Sequence, residues 1–166
     1  MAATRHHDAD PDGRRDLLID AVLLASRALV GVAARSLASV DPDVTLPQYR
    51  ALVILSRDEP QTLGALSEAI GLHPSSSTRL CDRLVSKGLI ERSAATADRR
   101  ETLIVLTSRG RDIVDQVTRN RRAEISRILA RIPTAELEPL IVALRGFSDA
   151  AGEAPEPAWS LGWPTG

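Results

Sequence analysis

Hydroxyl and guanidinium groups crowd one span of this chain: Ser75, Ser76, Ser77 and Thr78 lead into Arg79 and Arg83, and Arg99 and Arg100 follow. Two kinds of chemistry are open to such a set. A serine becomes a nucleophile when a base stands beside it, whereas hydroxyls and guanidiniums together hydrogen-bond base edges and phosphates. The first reading lacks its parts, because no His and Asp set accompanies the serines and no phosphate-binding loop occurs. The expectation is a binding protein and no enzyme. Ser75, Ser76, Thr78 and Arg79 fall in the first turns of a helix opened by Pro74, the part that reaches major-groove base edges, with Arg79 suited to a guanine. Arg83 lies one turn further, at phosphate height. Arg99 and Arg100 suit a narrow minor groove, which attracts guanidinium.

The elements that must hold these groups are legible from Thr62 to Gly110. Leu63, Leu66, Ala69 and Ile70 recur at helical spacing, and Gly71 offers positive φ where that helix stops. Leu72 is expected to tuck inward before Pro74, whose missing N–H is harmless at a first helical position. The second helix reads Pro74 to Lys87, with Leu80, Cys81, Leu84 and Val85 as its apolar stripe. Gly88 closes it. Leu89–Arg92 and Thr102–Leu106 then read as two short strands around a polar loop. Helix, turn, helix and hairpin in this order describe a winged helix-turn-helix, a reader of double-stranded DNA.

Charge supports that order by its distribution. The whole chain has a net charge of −1, but His73 to Arg111 carries eight basic residues against four acidic ones, leaving the remainder acidic. A solvated arginine face is the alternative. The length of 166 residues suits one domain. The single cysteine, Cys81, excludes an internal disulfide, and its place on the apolar stripe argues against redox sensing. His6 and His7 in a polar tail and the solitary His73 form no ligand cluster, so neither metal nor cofactor is expected. No apolar run is expected to approach the ~20 residues of a membrane span, and no signal peptide is evident, which together predict a cytoplasmic protein with no membrane partner.

Outside the reading unit the sequence predicts helices over Arg14–Ser39, Pro47–Ser56, Thr107–Ile132 with Thr107 as N-cap, and Ala135–Ala150. Their apolar stripes exceed what the reading unit can cover, which predicts a homodimer. A two-fold axis would set two recognition helices one DNA turn, ~34 Å, apart on a palindrome. The expected fold is mainly α with a small β wing. Residues 1–13 are read as a flexible tail, 14–44 and 107–150 as a helical dimerisation region, 45–106 as the winged helix-turn-helix, and 151–166 as a second tail. Trp159 and Trp163 in that tail are expected to lie against the body or the partner subunit.

Several phrases in order make the chain similar to the MarR family of bacterial transcriptional regulators: Thr45–Leu52, Thr62–Leu66, Gly71–Leu84, Lys87–Arg92, and Asp98-Arg99-Arg100 followed by Leu106-Thr107 and Gly110. The resemblance implies an obligate homodimer that represses, or less often activates, nearby genes. It implies that Asp98 braces the wing by pairing with one of its arginines. It also implies release of DNA by a small organic ligand, aromatic or phenolic, in a crevice near Tyr49 and Arg50, although a tyrosine at such a place is more often simply core. Two departures stand out. Ser77 occupies a place usually apolar, and His73 takes an N-cap place usually held by Ser, where it would stand beside a DNA phosphate or simply in solvent. The rival class is a winged helix that docks a protein partner instead of DNA.

Overall fold

A computed structural model of the chain describes residues 11–57, 60–94 and 102–153. The elements run α1 (Pro11–Ala38), α2 (Leu46–Arg57), β1 (Gln61–Thr62), α3 (Leu63–Ile70), α4 (Pro74–Ser86), β2 (Ile90–Ala94), β3 (Thr102–Leu106), α5 (Ser108–Leu129) and α6 (Thr134–Ala150). This is the expected mainly helical fold with a small sheet. The wing residues Asp98, Arg99 and Arg100, the histidines His6 and His7, and Trp159 and Trp163 lie outside the described residues.

Local signals set most boundaries. Thr62 Oγ1 caps α3 by accepting from Ala65 N at 3.2 Å. Gly71 ends the helix at φ 74°, a conformation that a side chain would strain, and Leu72 N bonds back to Ser67 O at 3.0 Å. At the start of α2, Thr45 and Gln48 form a reciprocal box: Thr45 N donates to Gln48 Oε1 at 3.1 Å, and Gln48 N to Thr45 Oγ1 at 3.4 Å. The Thr-x-x-Gln spacing carries this signal in the sequence.

The sheet has the antiparallel order β1-β3-β2, with Gln61 opposite Ile104 and Ile90 opposite Leu106. Its two-residue strand β1 is too short for an alternation pattern, so the hairpin alone was predictable. The core gathers Leu52, Leu55, Leu66, Leu84, Leu89, Ile90, Ile104 and Val117 between α2, α3, α4, the sheet and the first half of α5.

Three corrections concern the helices. On α4 the buried positions are Ser77, Cys81 and Leu84, whereas Val85 is exposed and Leu80 only half-buried. The packed stripe is thus rotated toward Ser77. On α1 the span Asp12–Ala38 is long and apolar enough to cross a membrane by length and composition, contrary to expectation, and it is almost wholly exposed in the single chain. Scattered charges such as Asp20 and Arg27 had masked a run that is otherwise almost all Leu, Ile, Val and Ala. The helix also begins at Pro11, inside the expected tail. Its end is anchored through buried Val32 and Leu37, the Arg35–Glu124 ion pair, and Asn120 Nδ2 donating to Ser39 Oγ at 3.0 Å.

Candidate nucleic-acid interface

The helix α4 packs its middle into the core through Cys81 and Leu84 and is held by hydrogen bonds at both ends. At the N-terminus, His73 is the N-cap as expected, and its Nδ1 accepts from Ser75 N at 3.5 Å. At the C-terminus, Gly88 lies at φ 66° and Leu89 N reaches back to Leu84 O at 3.0 Å, so that Leu89 enters the core. Thr107 then locks this end to the start of α5. Its hydroxyl donates to Gly88 O at 2.7 Å and accepts from Gly110 N at 3.1 Å, while Thr107 N donates to Leu89 O at 3.1 Å. Gly110 completes the joint, since a Cβ there would overlap the Leu89 carbonyl oxygen and meet Leu106 Cδ2 at 3.1 Å.

A face held in this way leaves Ser75, Ser76, Thr78, Arg79, Asp82 and Arg83 exposed. Between it and the start of α2 runs a groove of about 270 Å³, lined by Thr45, Pro47, Gln48, Ser76, Arg79, Leu80 and Arg83. The five α4 residues assigned from the sequence to base and phosphate contact are therefore brought together on one accessible surface.

The cations nearby divide sharply, which sequence counting does not reveal. Arg92 pairs with Asp82 at 2.6 Å, tying the wing strand β2 to α4. Arg109 donates to Lys87 O at 3.1 Å and reaches Asp41 Oδ2 at 3.4 Å. Lys87 Nζ donates to the Asp43 carbonyl and to Gln48 Oε1 at 3.4 Å. Arg79 and Arg83, by contrast, have no side-chain partner among the described residues. Among the described residues the accessible positive charge of α4 is thus concentrated in these two guanidiniums, with Lys87, Arg92 and Arg109 spent on joints.

The remaining sequence candidates are placed as follows. Cys81 is fully buried and free, and desolvation pushes its thiol pKa up; nearby Arg92 opposes that shift and Asp82 adds to it. A protonated, enclosed thiol is a poor nucleophile. Ser77 is fully buried with its Oγ unpartnered, so the departure from an apolar residue gains no polar contact. Tyr49 is a core residue whose hydroxyl is buried without a partner, while Arg50 is exposed and lies 3.7 Å from Glu153. Tyr49 and Arg50, although adjacent in sequence, therefore face different surroundings. Among the described residues no cluster of His, Cys, Asp and Glu could hold a metal ion.

Comparisons with known proteins agree with this architecture. The family model described as "MarR family" matches residues 44–102. A solved structure, RV1404 from Mycobacterium tuberculosis, is 46% identical with a TM-score of 0.81, covering 86% of this chain and 97% of its own. A MarR family protein from Bacillus stearothermophilus is 24% identical with a TM-score of 0.77, over 87% and 99% of the two chains, a likeness of fold. In Bacillus subtilis, the HTH-type transcriptional regulator YfiV is 26% identical over 112 residues, covering 68% of this chain and 70% of the relative.

Proposed function

This chain belongs to the MarR family of DNA-binding helix-turn-helix transcriptional regulators, and from that premise we propose that it is a homodimeric repressor of a palindromic operator. The single observation that carries the DNA-reading part is the free face of α4. Its two guanidiniums, Arg79 and Arg83, are uncommitted among the described residues, while Lys87, Arg92 and Arg109 are engaged within the protein. Ser75, Ser76, Thr78 and Arg79 read base edges; Arg83 holds a phosphate. Arg99 and Arg100 enter the flanking minor groove with Asp98 bracing the wing, and His73 stands near a phosphate. A DNA partner supports a cytoplasmic location.

Dimerisation is supported by the apolar surface that one copy leaves wet. Leu17, Leu18, Leu23 and Leu24 of α1 and Ile141, Val142, Leu144 and Phe147 of α6 are all exposed, and α6 buries none of its residues. At about 25 cal/mol per Å² such stripes are stabilised strongly by a second copy, and a two-fold arrangement covers both at once. The dimerisation region comprises α1 together with α5 and α6. Release of DNA by a small aromatic or phenolic ligand is part of this reading, with the exposed Arg50 guanidinium, 3.7 Å from Glu153, as the group suited to a carboxylate and the core residue Tyr49 left out of the crevice.

The test is selection of genomic fragments by the purified protein, followed by binding measured against salt. Recovery of an inverted repeat bound with a steep salt dependence is the expected result. Salt-insensitive binding to a protein partner, with no duplex selected, would replace this function by a protein-interaction role.

A further inference from the structure

The hydroxyl groups at the front of α4 are not equivalent. Ser75 Oγ lies 3.1 Å from His73 Nδ1, and the same ring nitrogen accepts the backbone N–H of Ser75. In the tautomer that lets Nδ1 accept this amide, with the ring proton on Nε2, the Ser75 hydroxyl can meet Nδ1 only as a donor. Thr78 Oγ1 donates to the Pro74 carbonyl at 3.0 Å, and a carbonyl oxygen can only accept. Both hydroxyl protons are consumed inside the protein. What Ser75 and Thr78 turn outward is lone pairs. Ser76, equally exposed, has no such partner among the described residues, and its hydroxyl is free to rotate.

We propose that His73 and the Pro74 carbonyl make Ser75 and Thr78 obligate hydrogen-bond acceptors, so that the front of α4 reads the amino groups of adenine and cytosine. In the major groove only adenine N6 and cytosine N4 offer donors, whereas guanine O6 and N7 and thymine O4 would meet lone pair with lone pair. Arg79, all donor, takes the complementary task at a guanine. His73 is a positioning residue in this scheme, acting on the base through Ser75. The inference rests on the DNA-reading assignment made above.

The test uses the full chain and its selected duplex, with each adenine replaced in turn by a purine lacking the 6-amino group and each cytosine by a pyrimidinone lacking the 4-amino group. Two positions per half-site are expected to lose roughly three- to tenfold in affinity, the scale of one net hydrogen bond. Ser75→Ala makes one of them indifferent to the missing amino group, Thr78→Val the other, and Ser76→Ala neither. His73→Asn, whose Oδ1 can accept both hydrogens, keeps the sensitivity. His73→Ala loses it at the Ser75 position but not at the Thr78 position. Specific binding with guanine or thymine preferred at these positions, or amino sensitivity surviving in Ser75→Ala and Thr78→Val, overturns the proposal and leaves DNA reading intact. Failure to bind any duplex specifically overturns DNA reading, and the proposal with it.

Discussion

Gly110 presses its bare Cα against the carbonyl of Leu89, in space that a Cβ would have to share with that oxygen. The contact brings the first turn of α5 onto the end of α4, beside the Thr107 hydroxyl that bonds Gly88 O. The recognition helix is therefore aimed by a backbone-to-backbone joint, which cannot yield as a flexible side chain would.

Gly110→Ala is expected to destabilise the fold by about 1–3 kcal/mol, the usual range for overpacking a rigid site. Urea unfolding would show a lower midpoint with an unchanged slope. An unchanged midpoint would mean that the joint is looser than the geometry says.

Ser77→Ala is expected to stabilise the protein by about 1 kcal/mol. The buried Ser77 Oγ has lost water without gaining a partner, and an unsatisfied hydroxyl carries a desolvation penalty of about 1–3 kcal/mol that removing it relieves, less the small cavity left behind. Alanine also suits the helix interior better. Measured destabilisation of the same size would show that the hydroxyl has a partner in solution.

Arginines of equal charge should behave unequally on DNA. Arg83→Gln should flatten the salt dependence of binding by about 1 for each subunit and weaken all duplexes alike. Arg79→Gln should cost about 1–3 kcal/mol on the operator and relax preference at one base pair. Arg109→Gln, whose partners are Lys87 O and Asp41, should leave the salt slope unaltered. Equal slopes for the Arg83 and Arg109 variants would refute the division of the cations.

The buried thiol gives stability a pH dependence of known sign. Burial raises the folded-state pKa of Cys81 above its ordinary value, so the unfolded chain loses this proton first as pH rises. The contribution is complete below the ordinary thiol pKa and is lost as pH climbs toward the folded value. Stability should fall more steeply above about pH 8.5 in the natural protein than in Cys81→Ala. In the folded state the thiol should resist an aromatic disulfide reagent until unfolding exposes it. Parallel pH curves and rapid labelling would contradict burial.

Association can be tested at the exposed ends of the helices. Leu17→Asp and Val142→Asp replace side chains that are 73% and 65% exposed in the single chain, so neither should disturb the reading unit. Sedimentation equilibrium should find a dimer for the natural protein and a shift to monomer for each variant. A natural protein that is monomeric at micromolar concentration would remove the two-fold operator from the proposal.

The order of the helices and the wing hairpin, the glycine turn at Gly71, the caps His73 and Thr107, and the phrases shared with the family were all legible in the amino-acid sequence. Each depends on neighbours within a turn or so, where spacing and residue type suffice. Tertiary structure alone decided which charges remain available, because Arg109 meets Asp41 across 68 positions of chain and Arg92 meets Asp82 across the turn that ends α4. It decided that Ser77 is buried and Val85 exposed, since the angle at which a helix packs selects among residues that share its apolar side. The strand β1 and the close approach of Gly110 to Leu89 belong to the same class. Their causes are contacts made by distant segments, and short-range periodicity carries no record of them.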